Sequence, residues 1–392
     1  MAERVALVGA LGHGLWHRRV IERLRAAGRV EPVAFCDRQP LTDAEDAPLR
    51  DVPVFDDHRR MLAATRPDVV VVCTPPHTHL PIALDVVHSG ADLLLEKPPL
   101  ASLAEHRRLT AELRTTGRTA QVGFQALGSH ALQRLSAAIA DGELGDLSRL
   151  GAVGAWWRPD AYFTRAPWAG KRFLDGRPVI DGALVNPFAH ALMQALVLAG
   201  PAATAPMRLE LERYRSRAIE TDDTTFARVT FASGVELVVA VTLDSSVFLP
   251  GEIVVTGHRR TAVLEYPTDR LQLPGDDEPV HVPGRDGLLE NLLDHRADPA
   301  VALIAPLSRT AVFTTLLEAI VSAPEPARIP ARHLRPHPDG GGSAVEGIDR
   351  LVRKVVTRHR LPSELNVSWA AAPHRVVLDR WRPIVGSESR AG

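Results

Sequence analysis

Five short apolar runs punctuate the first third of the chain: Val5 to Val8, Pro32 to Cys36, Val69 to Cys73, Leu93 to Leu95 and Ala120 to Phe124, with helically spaced stretches between them. Their apolarity is continuous rather than alternating. That predicts strands covered on both faces, the condition of a doubly wound parallel sheet with crossover helices. Further along, Ser148 to Trp157, Arg208 to Arg215, Phe226 to Phe231, Val235 to Thr242 and Glu252 to Thr256 read as strands, with Ser233-Gly234 as a hairpin turn. Leu288 to Leu293 and Thr310 to Val321 read as helices. The segment His337-Pro338-Asp339-Gly340-Gly341-Gly342-Ser343 reads as a flexible linker. It precedes a helix whose apolar stripe is Ile348, Leu351, Val352, Val355 and Val356, with Lys354 outside it, and a strand over Arg375 to Trp381, an extension expected either to cap the sheet or to reach a neighbouring subunit.

A chain of 392 residues with 45% hydrophobic content is long enough for two cores. Its formal charge of −1 supplies no electrostatic reason for nucleic acid or a membrane surface as partner. Arg18, Arg19, Arg23 and Arg25 read as the solvated face of one early helix. Cys36 and Cys73 lie in apolar runs without metal-ligand spacing and read as buried, reduced core residues, and no metal is expected. No run of 18 apolar residues occurs, and the first strand begins at Arg4 without a charged and apolar leader. A soluble, cytoplasmic protein is the expectation.

Candidate chemistry starts at the first strand's end. Gly9-Ala10-Leu11-Gly12-His13-Gly14 leads into a helix over Trp16 to Ala27, and the second strand ends on Asp37 and Arg38. Glycines let the backbone turn sharply toward a pyrophosphate, the helix start offers amide donors, and the acid accepts from ribose hydroxyls. The middle glycine of the G-x-G-x-x-G pattern is Leu11 here, with Gly12 beside it. The third run closes on Thr74-Pro75-Pro76-His77-Thr78-His79 at the sheet's carboxyl edge, where open α/β folds bind ligands. The fourth ends on Glu96-Lys97-Pro98-Pro99. Lys97 stands out because the 46 basic residues include only three lysines, Lys97, Lys171 and Lys354. Arginine keeps its proton in a protein, whereas lysine serves as a tunable donor or base.

Together the glycine turn, the threonine-proline helix start with His79 and the Glu96-Lys97-Pro98 strand end resemble the Gfo/Idh/MocA family of nicotinamide-dependent oxidoreductases. The resemblance implies a Rossmann domain over residues 1–124 and an α+β domain with a large open, mostly antiparallel sheet over 125–335, leaving 336–392 as an extension. It implies a cofactor site built from Gly9, Leu11, Gly12, His13, Gly14, Asp37, Arg38, Thr74, Pro75, His79, Glu96 and Lys97, with a cis bond before Pro98 aiming Lys97. NAD is expected because Asp37 repels a 2′-phosphate, and NADP remains open through Arg38. The family's aspartate and histidine, four residues apart, correspond to Asn186 and His190, so the aspartate has become an amide. Tyr162, Arg165, Trp168 and Lys171 fall in a stretch similar to the family's aromatic, tryptophan-glycine stretch, read equally as a wall for a polyol or sugar ring with Arg165 and Lys171 donating, or as Trp156, Trp157 and Trp168 packing the sheet. Both faces of Val235 to Thr242 are largely apolar, so a second subunit is expected to cover the open sheet in a homodimer or homotetramer.

Oxidising a secondary alcohol needs a proton acceptor and a donor on the oxygen. His190 fits the first role and Lys97 the second, while Asn186 neither removes a proton nor neutralises an imidazolium. Three activities stay open on sequence alone. The leading one is an NAD(P)-dependent dehydrogenase or reductase for a sugar, cyclitol or glycoside hydroxyl. The others are an NAD-dependent glycoside hydrolase or lyase using transient oxidation, and a redox-inactive nucleotide-binding regulator.

Overall fold

The computed structural model describes residues 2–41, 48–174 and 176–378, which fall into two compact units. In the first, strands and helices alternate as β1 (Glu3–Val8), α1 (Gly14–Ala26), β2 (Val30–Cys36), β3 (Val54–Phe55), α2 (His58–Thr65), β4 (Val69–Val72), α3 (His79–His88), β5 (Asp92–Leu95), α4 (Leu103–Thr116) and β6 (Ala120–Val122). The strands pair in parallel in the order β3-β2-β1-β4-β5-β6. Val69, Val70, Val71 and Val72 are wholly buried, as continuous apolarity requires of a strand covered on both faces. Strand order reverses between β1 and β4, which opens a crevice at their carboxyl ends. Loops after β1, β2, β4 and β5 all emerge on that edge.

The second unit runs through α5 (His130–Ala140), β7 (Leu147–Trp157), the hairpin β8 (Phe173–Leu174) and β9 (Arg177–Pro178), and α6 (Ala189–Ala199). It continues through β10 (Pro206–Arg215), β11 (Thr224–Phe231), β12 (Glu236–Thr242), β13 (Asp244–Gly257), β14 (Thr261–Glu265), β15 (Arg270–Gln272) and β16 (Val280–His281). The remaining elements are α7 (Leu288–Ala297), α8 (Ala311–Ser322), β17 (Ala327–Arg328), β18 (Leu334–Pro336), β19 (Ser343–Val345), α9 (Ile348–Arg358) and β20 (His374–Val377). A mixed, mostly antiparallel ten-stranded sheet runs β16-β15-β14-β13-β7-β12-β11-β10-β17, with β20 antiparallel on β10.

By compactness Gly287–Thr314 groups with the first unit. There α7 buries Leu288, Leu289, Leu292 and Leu293, Gln121 donates from Nε2 to the Leu288 carbonyl, and Arg296 pairs with Glu3 and Asp92. The predicted linker is instead the turn of a β18–β19 hairpin. Gly340, Gly341 and Gly342 supply its positive φ values, and His337 is buried in a stack on Trp157 at 3.9 Å. Of the predicted C-terminal strand, His374–Val377 pairs with β10, and its last residues, from 379 on, lie outside the described ones. Arg18 is fully buried rather than solvated: its Nε donates to the Pro48 carbonyl at 3.0 Å and its guanidinium lies over Phe35. It shares the inward face of α1 with Ile21, while Arg19, Arg23 and Arg25 are exposed as expected.

The C-terminal extension caps the open face of the sheet. Val153, Ala155, Phe226, Val238 and Ala240 form one core with Ile348, Val352 and Val355 of α9. The chain therefore covers this face with α9 of its own extension. Gly151 makes the approach close: a Cβ at that position would lie 2.3 Å from Cγ1 of Val356. Gly151→Ala is expected to lower unfolding free energy by about 1–3 kcal/mol through overpacking. In urea denaturation, adding Val356→Ala to that variant should recover part of the loss; strict additivity of the two changes would show that α9 does not seat on Gly151.

Candidate active site

At the carboxyl edge of the first sheet, backbone geometry explains the glycine turn. Gly9 has φ +88° and lies so close under β4 that a Cβ would come within 2.3 Å of the Cys73 carbonyl oxygen. Gly14 starts α1 with no room either, because a Cβ there would sit 2.0 Å from the Gly9 oxygen. The first turn of α1 holds no acidic residue and no side-chain cap. Its positive dipole end is therefore left for an anion, as a dinucleotide pyrophosphate requires. Asp37 Oδ2 accepts from the amides of Ala10 at 3.0 Å and Leu11 at 3.2 Å, and Oδ1 accepts from Gln39 N at 3.1 Å. A carboxylate accepts about four hydrogen bonds, so this acid shapes the turn and retains capacity for a ribose hydroxyl. Arg38 beside it is exposed.

Glu96 is a buried acid of the same edge. Its buried carboxylate accepts from Gln125 Nε2 at 2.6 Å, from the Lys97 amide at 3.0 Å and from His17 Nε2 at 2.9 Å. His13 Nε2 stands 3.7 Å away. Burial alone would raise this carboxyl, yet hydrogen bonds and charge from the two histidines bring it well below the ordinary glutamate range. Donor atoms of His13, His17 and Glu96 lie within 4.8 Å of one another, a spacing compatible with a metal, but the Glu96 Oε1 position is already taken by the His17 and Gln125 donors. His17 and Gln125 were missed from sequence. The i,i+4 spacing from His13 along α1 was the available signal.

Lys97 is half-buried, and the bond between it and Pro98 is cis, as the resemblance implied. His79 is neither exposed nor positioned as a simple ligand. It is fully buried, with Nε2 2.7 Å from the Thr74 carbonyl and Nδ1 3.0–3.1 Å from the carbonyls of Pro99 and Pro98, and burial lowers its pKa, so the neutral ring donates to one side only. It thus fills the space between the Thr74-Pro75 loop and the Lys97-Pro98 turn. Thr78 Oγ1 donates to the Pro75 carbonyl and accepts from the Thr74 hydroxyl within the same loop, both at 2.7 Å. Cys36 is buried, its thiol pushed up to about 12 chiefly by burial, whereas Cys73 is half-buried; both are free thiols.

In the second unit Asn186 and His190 sit at the approach to α6, and both are half-buried. Asn186 Nδ2 donates to Asp181 Oδ1 at 3.1 Å, and the other oxygen of Asp181 accepts from Gly170 N at 2.8 Å. The carboxylate missing at position 186 therefore lies one hydrogen bond away. Asp222 fixes the same segment, accepting from Ala183 N at 3.0 Å beside Arg213, and a Cβ at Gly182 would lie 2.8 Å from Asp222 Oδ1. Burial raises the Asp222 carboxyl, a shift opposed by Arg213.

Tyr162, Arg165 and Trp168 come together as expected, with the Arg165 guanidinium 3.7 Å from the Tyr162 ring centroid and 4.6 Å from that of Trp168. Lys171 does not join them; it forms an exposed ion pair with Glu220 at 3.2 Å. Asp181, Asp222 and Arg158 were not singled out from sequence, although Asp181 opens the very stretch in which Asn186 and His190 were read.

Comparison with known proteins gives the family and the fold. A model described as oxidoreductase family, NAD-binding Rossmann fold, matches residues 4–124, and the GFO/IDH/MocA C-terminal domain model matches 132–263. D-glucoside 3-dehydrogenase of Escherichia coli is 29% identical over 150 residues, covering 37% of this chain and 41% of that protein. Inositol 2-dehydrogenase of Burkholderia multivorans is 30% identical over 147 residues, covering 37% and 43%. This chain thus spans about two fifths of these curated relatives. The WlbA dehydrogenase of Bordetella pertussis, solved with NADH and UDP-GlcNAcA, shares the fold at 24% identity and TM-score 0.69 over 82% of this chain and 95% of that one. GenD2 from gentamicin A biosynthesis, solved with NAD, does so at 21% and 0.66 over 81% and 93%. Among the described residues no helix is long and apolar enough to cross a membrane.

Because the folded Glu96 carboxyl is depressed, its contribution to stability is present above the unfolded value and lost as pH falls through the folded one. Glu96→Gln should therefore cost about 3 kcal/mol at pH 7, the scale of a broken buried pair. It should also flatten the loss of stability below about pH 4.5. Urea titrations across pH that gave equal stability to both proteins at pH 7 would remove Glu96 as the anchor of this edge.

Proposed function

Because the chain belongs to the GFO/IDH/MocA family of oxidoreductases, we propose that it is an NAD-dependent dehydrogenase acting on a secondary hydroxyl of a sugar, cyclitol or glycoside. One observation carries the reading: a single carboxyl edge presents the Asp37-shaped glycine turn and the Glu96-anchored Lys97-Pro98 strand end. When bound, the nicotinamide supplies the hydride acceptor. The names of the matched relatives, D-glucoside and inositol dehydrogenases, support a polyhydroxylated substrate.

Lys97 places an ammonium donor on the reacting oxygen, favouring its anionic form, and His190 accepts the hydroxyl proton. Asn186, tied to Asp181, orients the segment before α6 rather than moving a proton. The same tie changes what a restored family aspartate would do. At Asn186→Asp two carboxylates would stand about as close as a hydrogen-bonded pair, and one of them would hold a proton.

A panel of glucosides and inositols, followed by the absorbance of NADH, tests the reading. Net reduction of NAD, with weaker use of NADP, is the expected outcome. His190→Ala should lower kcat/KM by roughly 10²-fold or more and flatten the acidic limb of its pH profile. Lys97→Arg should cripple turnover despite retaining charge, since arginine lacks the compact, tunable ammonium. Bond cleavage without net NAD reduction would replace the dehydrogenase with the transient-oxidation hydrolase or lyase. NAD binding with neither outcome would leave a nucleotide-binding regulator.

A further inference from the structure

The stretch between β7 and α6 brings two arginines without an ion-pair partner among the described residues onto one aromatic ring. Arg158 lies 5.1 Å from the Trp156 ring centroid and 5.4 Å from that of Tyr162, the ring on which Arg165 also stacks at 3.7 Å. Two guanidiniums thus share one aromatic ring. Other cations of this region have acids: Arg217 pairs with Asp160, Asp223 and Asp244, Arg213 with Asp222, and Lys171 with Glu220. Among the described residues neither Arg158 nor Arg165 has a carboxylate partner; their side chains donate to the Trp157 carbonyl at 3.2 Å and the Tyr162 carbonyl at 2.5 Å. Asp181, whose charge reaches Tyr162, accepts from Gly170 N and the Asn186 amide and, among the described residues, forms no ion pair with either arginine.

Such an arrangement is built for an oxyanion. Cation–π contact holds each guanidinium beside its ring and limits its movement, and each keeps N–H donors beyond the one given to a main-chain carbonyl, the donors with which arginine grips carboxylate or phosphate. Like charges sharing one ring repel, and an anion received between them relieves that repulsion. The cluster also adjoins the segment that carries Asn186 and His190. Asp181 ties the Gly170 end of the aromatic stretch to Asn186, and Trp156 packs at 4.2 Å on Phe188, two residues before His190.

We propose that Arg158 and Arg165 form an oxyanion subsite, so that the favoured substrate is a sugar derivative carrying a carboxylate or phosphoryl group rather than a neutral polyol. The inference rests on the dehydrogenase reading for its chemistry and on the arginine geometry for its charge. Methyl β-D-glucoside, methyl β-D-glucuronide and methyl glucoside 6-phosphate, assayed in parallel for NAD reduction, separate the possibilities. One of the two anionic compounds should exceed the neutral one in kcat/KM by at least tenfold, and whichever does identifies the oxyanion. In Arg165→Gln and Arg158→Gln, checked for unchanged melting, that anionic-to-neutral ratio should fall at least tenfold. A neutral preference, or a ratio insensitive to both substitutions, overturns the proposal.

If no compound reduces NAD, the dehydrogenase reading fails, and binding decides the subsite separately. Quenching of tryptophan fluorescence by the glucuronide or the phosphate, weakened at least tenfold in Arg165→Gln and by high salt, would uphold it. Absence of quenching by either, or quenching equal for the neutral glucoside, would overturn it.

Discussion

The first unit depends on a carboxylate kept ionised where water is excluded. Glu96 has no exposed surface to speak of, and an isolated charge there would be prohibitively costly. Donors from three directions make it tolerable: His17 from α1, Gln125 from beyond β6, and the Lys97 amide from its own strand end. Because those donors come from separate elements, satisfying one charge aligns the glycine-turn helix with the strand that presents Lys97. Gly123 belongs to the same constraint, since a Cβ there would press within 2.5 Å of Glu96 Oε1.

The second unit solves a similar problem with backbone donors. Asp181 and Asp222 hold Gly170, Ala183 and the Asn186 amide, so an irregular segment before α6 is fixed by buried acids rather than by sheet pairing. Here the amide at position 186 is an asset. A second carboxylate beside Asp181 would repel it, whereas an amide donates to it, and the local geometry holds without any proton having to be shared.

The parallel sheet was legible because strands buried on both faces leave unbroken apolar runs, and β4 and β5 are such runs. The glycine turn and the cis Lys97-Pro98 bond were legible through resemblance, because backbone contortions leave glycine and proline behind. Arg18 was misread because helical periodicity marks which positions face inward but not that a buried carbonyl, here that of Pro48, awaits a guanidinium. Likewise a glycine run specifies permissive backbone. Whether it forms a linker or, as at residues 340–342, closes a hairpin depends on β18 and β19 finding each other. His79 showed the reverse error: its position in a ligand-like motif was visible, but not that its ring is buried between main-chain carbonyls.

The α9 cover has a consequence for biosynthesis. The strands it packs against are complete by Gly257, whereas α9 begins at Ile348, about ninety residues later. At roughly 5–20 residues per second the ribosome needs on the order of 5–20 s to deliver it. Throughout that interval the apolar face containing Phe226 and Val238 has no lid, so a nascent chain passes through a window in which chaperone capture competes with aggregation, and which closes only when the last helix emerges.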